Sequence, residues 1–138
     1  LTGKAICRSA YTVRSFAEQD ALYAIGRTLP GKIVTHAKGG ESYHNYALAE
    51  DIVLLKDTDG NGTFDTASYE TNVDFDGDGK SDWQEVVFIF KKYGWESGID
   101  WKFRDAPHFQ KTFGYSAMDL KKKFDEKKFI ENTNYVLI

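Results

Sequence analysis

Only one cysteine, Cys7, and two prolines occur in this 138-residue sequence, and neither sign of charge is in large excess. A single thiol excludes an internal disulfide and any thiolate zinc cluster, so Cys7 is expected to behave as a small buried hydrophobe. Lys and Arg number 18 against 21 Asp and Glu, a formal net charge of −3. That balance gives no global pull toward nucleic acid or an anionic membrane surface, and neither is expected as a partner. No run reaches the roughly 18 apolar residues of a transmembrane helix, so no membrane insertion is expected. No basic-then-apolar leader precedes Leu1, and a first residue that is not methionine reads as a processed or trimmed end. What the chain does have is apolar material, 41% hydrophobic and 15% aromatic. This is enough for one compact core, and the organisation expected is a single domain over residues 1–138 with an Asp-rich insertion at 57–85.

Periodicity places a few elements. Ser15 to Gly26 sets Phe16, Leu22, Tyr23 and Ile25 near helical spacing, and Ser15 with Glu18 three residues later forms a capping-box pattern. Ala47 to Leu55 ends in an unbroken branched apolar run, which predicts a buried strand. From Ser81, Trp83, Val86, Val87 and Phe90 fall on one helical face, with Lys91 and Lys92 in the last turn and Gly94 placed to stop it. Gly31 to Gly40 reads as a loop or a brief extended piece. Trp101 to Phe109 reads as extended, because Pro107 disfavours helix at Ala106. The tail reads as a solvated helix around its Lys run followed by a short strand at NYVLI.

Between Asp57 and Asp82 two similar stretches, DTDGNGTFD and DFDGDGKSD, form an internal repeat. In the second, Asp74, Asp76, Asp78, Gly79, Lys80, Asp82 and Glu85 fall on positions one, three, five, six, seven, nine and twelve of an EF-hand loop, with a helix following. This predicts calcium binding by half an EF-hand, structural or regulatory in role. The first copy, Asp57, Asp59, Asn61, Gly62 and Asp65, has Ser68 at its twelfth position, which cannot supply a bidentate carboxylate. Its DGNG is equally a tight-turn sequence for a hairpin.

Two of the three histidines sit where zinc chemistry would explain them. His44 lies seven residues before Asp51, and His108 follows Pro107, three residues after Asp105. Two imidazoles and one carboxylate match the ligand count of a catalytic zinc that keeps a fourth position for water. Such an ion lowers the pKa of its water to about 7, so no activated serine or cysteine is needed. Spacing alone does not separate these ligands from structural histidines.

SYHNYALAED at Ser42 to Asp51 resembles an S-x-H-x-x-G-x-A-x-D motif, and DAPHFQ at Asp105 to Gln110 resembles a D-x-x-H element. Both belong to the zinc peptidases that include D-alanyl-D-alanine carboxypeptidases, vancomycin-resistance dipeptidases and L-alanyl-D-glutamate endolysins. VRSFAEQDALYAIGRT at Val13 to Thr28 and GWESGIDWKFRDAPHF at Gly94 to Phe109 are similar to the endolysin-like branch. The resemblance covers most of the chain outside the Asp-rich insertion and the tail. It departs at Ala47, where the family has glycine, and at Glu50, where an apolar residue is usual.

The resemblance implies an α+β fold of the zinc DD-peptidase, hedgehog-like kind, with a small antiparallel sheet carrying Asp51 and His108 against helices. It makes His44, Asp51 and His108 the zinc ligands, Asp105 the general base, and Arg14 the group that polarises the scissile carbonyl. Ser42 and Trp101 are expected at the substrate, with Trp95 and Phe103 either lining the cleft or packed in the core, and His36 is taken as a loop residue. The implied substrate is the stem peptide of peptidoglycan, cut between L-alanine and D-glutamate, with terminal D-alanyl-D-alanine as the alternative bond. The expected setting is extracellular, periplasmic or wall-bound, or a phage lysis enzyme acting on the wall, and the expected state is a monomer. A different class of reading is a calcium-stabilised wall-binding module that keeps the motif and has lost catalysis.

Overall fold

The computed structural model describes residues 1 and 3–138. Its backbone contacts group the chain into two compact units, one formed by Leu1–Tyr11 with Glu50–Lys111 and the other by Thr12–Ala49 with Thr112–Ile138. Among the described residues there are three α-helices and five strands, an α+β architecture with a small antiparallel sheet.

The first unit holds the sheet. Strands β1 (Ala5–Tyr11), β2 (Ala49–Lys56), β5 (His108–Gln110) and β4 (Glu96–Ser97) lie in that spatial order, and β3 (Thr66–Ser68) also pairs with β2. β2 is the predicted buried strand. Its Ile52 and Leu54 are fully buried, and they pack with Phe109 of β5 and with Trp83, Val86 and Val87 of helix α2 (Asp82–Lys92). Phe90 joins them, its ring centroid 4.1 Å from that of Phe109. The i, i+3, i+4, i+7 stripe read from the sequence is therefore the face that α2 buries. Each such side chain contributes about 1.5–3 kcal/mol by leaving water. Ser81 caps α2 by accepting the Gln84 N–H, and Gly94 sits at φ 80° just beyond its end, as the sequence predicts.

The first Asp-rich stretch is the hairpin loop between β2 and β3, with Lys56 opposite Thr66 and Leu54 opposite Ser68. Its turn-forming reading holds. Both copies nevertheless fold alike: Asp57 accepts the Gly60 and Gly62 amides as Asp74 accepts those of Gly77 and Gly79. Cys7 is a free, half-buried thiol on β1. Burial, then the nearby Glu50 carboxylate, pushes its pKa up to about 11, so it is chemically quiet.

The second unit is built on helices α1 (Phe16–Ala24) and α3 (Ala117–Asp125) and a 3-10 helix at Tyr43–Tyr46. The Ser15–Glu18 capping box is present: the Ser15 hydroxyl accepts the Glu18 amide and the Glu18 carboxylate accepts the Ser15 amide. Tyr46, Leu120 and Val136 form the core, with Phe16, Tyr43, Leu48, Tyr115, Phe124 and Phe129 around them. The residue that α1 buries completely is Gln19, not one of the apolar positions read from spacing. It is satisfied there because its amide accepts from Arg14 Nη1 and donates to Thr35 Oγ1 and the Ala37 carbonyl. The NYVLI tail forms one bridge, Val136 with Phe129, in place of the expected strand.

Trp101 to Asp105 is an irregular turn rather than the extended run that Pro107 suggested; only His108–Gln110 is strand. The turn closes because Asp105 N–H donates to the Gly98 carbonyl and His108 N–H to the Asp105 carbonyl. A Cβ at Gly98 would collide with the Asp105 carbonyl, so the approach needs glycine. Phe103 is 78% exposed, so it takes no part in the core, whereas Trp95 packs against it.

Ala47 ends the 3-10 helix in the left-handed region, φ 59° and ψ 28°. This is the position where the resembling motif has glycine, and a Cβ there costs about 1–2 kcal/mol, partly offset by the larger entropy loss of glycine on folding. Ala47→Gly is expected to raise stability by roughly 0.5–1 kcal/mol in a denaturant titration. A loss of stability would show that the alanine is not strained.

Candidate metal centre

The first unit brings Asp51, Asp105 and His108 to neighbouring positions. Asp51 lies near the start of β2, paired with Tyr11, and His108 begins β5, the next strand over. The Ile52 amide donates to the Pro107 carbonyl at 3.0 Å, which joins β2 to the residue before His108. His108 Nδ1 stands 3.3 Å from Asp51 Oδ1, and the ring is only 7% exposed.

The other ring nitrogen is held from behind. Gln110 Nε2 donates to Glu96 Oε2 at 3.0 Å, and a carboxylate can only accept, so the Gln110 oxygen is the atom turned toward the imidazole. His108 Nε2 donates to that oxygen at 3.0 Å. With the Nε2 proton fixed, the Nδ1 lone pair and the Asp51 carboxylate are two electron donors facing each other. Only a cation between them relieves that contact, either a proton or a metal ion. Burial disfavours the charged ring, but the hydrogen bonds to Asp51 and Gln110 and the fields of Asp51 and Asp105 outweigh it, and the His108 pKa is raised. Trp101 packs its ring 5.1 Å from that of His108, at 47°.

The second unit positions His44 and Arg14. His44 is 2% exposed, and its Nδ1 lies 2.6 Å from the Thr12 carbonyl, which can only accept. The ring therefore carries a proton on Nδ1, the arrangement by which a backbone carbonyl orients a metal-ligating histidine. The Ser42 hydroxyl accepts the His44 amide and caps the 3-10 helix. Arg14 is tied to the same segment: its amide donates to the His44 carbonyl, and its carbonyl accepts from Asn45 Nδ2. Its guanidinium is steered by Gln19 at 2.9 Å.

Each histidine thus has one nitrogen held by a fixed oxygen acceptor. That fits zinc, which takes neutral imidazole nitrogens and carboxylate oxygens. Glu50 does not compete, because alternation along β2 sends it to the face opposite Asp51, the face shared with Ile52 and Leu54.

The sequence agrees with this chemistry. A family model described as D-alanyl-D-alanine carboxypeptidase matches residues 35–111, more than half of the chain, and includes His44, Asp51, Asp105 and His108. The chain belongs to this family. The family is one of zinc peptidases, and its membership carries zinc as the implied metal. The chain is also 54% identical over 100 residues to peptidoglycan L-alanyl-D-glutamate endopeptidase CwlK of Bacillus subtilis (strain 168). That match covers 70% of this chain and 55% of the relative, so the chain spans a little over half the relative's length.

Two residues of this site lay outside the sequence reading, Gln110 and Glu96. Thr12 was a third omission, since it acts through a backbone carbonyl that any residue supplies. Among the described residues no helix is long and apolar enough to cross a membrane.

Proposed function

We propose that this chain is a zinc peptidase acting on the stem peptide of peptidoglycan, at the bond between L-alanine and D-glutamate, with His44, Asp51 and His108 as the metal ligands. The observation that supports it is an oxygen acceptor behind each imidazole: the Thr12 carbonyl 2.6 Å from His44 Nδ1 and the Gln110 side-chain oxygen 3.0 Å from His108 Nε2. The bond assignment rests on the 54% identity to a relative named for that activity. Such a substrate places the protein's action at the bacterial wall.

Zinc held by His44, Asp51 and His108 would supply a Lewis acid and a nucleophilic water at neutral pH. The Asp105 carboxylate would take a proton and later return it to the leaving amine. It is an exposed carboxylate on a turn closed by Gly98, three residues before a ligand, and it acts on the field at His108. Arg14 polarises the scissile carbonyl and balances the charge that develops on its oxygen. Trp101, over His108, offers an apolar wall to the peptide. Ser42 serves the site through His44, whose amide it accepts.

Incubation with purified sacculi and zinc tests the reading. The expected product is new amino-terminal D-glutamate. Released D-alanine would instead identify a D-alanyl-D-alanine carboxypeptidase, and no release by a zinc-loaded protein would leave a wall-binding module.

Calcium at the second Asp-rich loop is part of the same proposal, as a stabiliser rather than a catalyst. Asp74, Asp76 and Asp78 bring ligand oxygens together, and Asp76 also converges with Asp82 and Glu85, so one residue links both halves of the EF-hand set. The Lys80 carbonyl is the seventh-position ligand.

At calcium a hundredfold above Kd, binding adds about 2.7 kcal/mol, and each kcal/mol moves Tm by roughly 2–8 °C. A rise of at least about 5 °C is therefore expected in saturating calcium, reduced in Asp74→Ala. An unmoved Tm in the wild-type protein would overturn the loop assignment.

A further inference from the structure

We propose that Gln110 and Glu96 are positioning residues that aim His108 at the metal through a carboxylate, amide and imidazole relay running across one face of the sheet. This rests on the zinc reading above. The relay is built by strand geometry. His108 and Gln110 are two apart on β5, so they point to the same face, and Glu96 on β4 lies directly opposite Gln110 in the antiparallel register. His108 and Gln110 are both buried, at 7% and 8% exposure, whereas Glu96 is exposed.

Each member determines the next. The Glu96 carboxylate cannot donate, so it selects the amide nitrogen of Gln110. The Gln110 oxygen then faces His108 and can only accept, so Nε2 must carry the proton and Nδ1 must be the ligating nitrogen. If Glu96 is removed, nothing prevents the amide from rotating by half a turn. Its NH2 then meets the Nε2 proton, two donors oppose each other, and the ring is relieved only by moving its proton to Nδ1, the position the metal needs. Glu96 thereby sets which nitrogen of His108 binds metal although it never touches the ring.

The test measures zinc affinity by chelator competition alongside the solvent-exchange protection of the His108 Nε2 proton in 15N spectra. Gln110→Met removes the acceptor, and Glu96→Ala, at an exposed position, leaves the amide unsteered without threatening the fold. Both are expected to weaken zinc binding by about 10–100-fold and to expose the Nε2 proton to exchange. The double exchange of Glu96→Gln with Gln110→Glu rebuilds the relay with its charge moved one residue inward, and it is expected to recover most of the affinity and the protection.

Unchanged affinity and protection in Glu96→Ala would overturn the proposal. So would a folded double variant no better than the single ones, which would leave only a packing role. A wild-type protein that binds no zinc would refute the metal reading instead, and Nε2 proton protection in the zinc-free proteins would still decide the relay.

Discussion

Asp105→Asn is expected to bind zinc at least as well as the wild-type protein and to hydrolyse sacculi about 10²–10⁴-fold more slowly. The substitution keeps the size and turn-forming character of the side chain, and the contacts that close the turn are backbone ones, from Asp105 N–H to Gly98 and from His108 N–H to the Asp105 carbonyl. What it removes is the ability to take and return a proton. Asp105 also contributes to the field that raises the His108 pKa, so the amide is expected to lower that pKa and to ease metal loading under mildly acidic conditions. Activity and loading therefore move in opposite directions, which a general loss of fold cannot produce. Hydrolysis close to the wild-type rate would assign the base elsewhere.

Removing a ligand has the larger effect. His44→Ala and Asp51→Ala are each expected to cost more zinc affinity than the 10–100-fold typical of an outer-shell partner, and to abolish hydrolysis at stoichiometric zinc. Asp51→Ala carries a second consequence in the metal-free protein. Asp51 stabilises the charged His108 ring at 3.3 Å, so its loss lets burial lower the His108 pKa. In the parent protein the folded pKa is raised above the unfolded value. The stability this contributes is fully present below the unfolded pKa, about 6.5, and is lost as pH rises through the folded pKa. Asp51→Ala is expected to flatten that dependence, measured as Tm against pH without zinc. A variant that retains tight zinc would remove Asp51 from the ligand set.

The elements that carry the site were legible because their signals are local. The β2 run, the α2 stripe with its Ser81 cap and Gly94 stop, and the capping box of α1 each lie within about a dozen residues, and each is present. β1 was not legible. It is an outer strand whose burial is confined to Ala5, with the remaining residues partly or fully exposed, so AICRSAY carries no clean alternation. β4 is only two residues long, and β3 only three.

The same divide separates the site residues. His44, Asp51, Asp105 and His108, the proposed ligands and base, were legible by motif, because the proposed chemistry needs those residue types. Gln110 and Glu96 are fourteen residues apart, and only the pairing of β4 with β5 brings them together. Ala47 stood out in the sequence as a departure from glycine, and its φ of 59° gives the physical reason for glycine there. Glu50, the other departure, is accommodated by alternation on β2. Its strand face looks away from Asp51.

X-ray absorption on the zinc-loaded protein tests the central assignment most directly, because it reports the atoms bound to the metal. The expected first shell holds two imidazole nitrogens at about 2.0–2.1 Å and a carboxylate oxygen at about 2.0–2.2 Å, with one further light ligand and no sulfur. His44→Ala and His108→Ala are each expected to remove one imidazole. A shell that keeps both imidazoles in either variant would contradict the assignment of these histidines as zinc ligands.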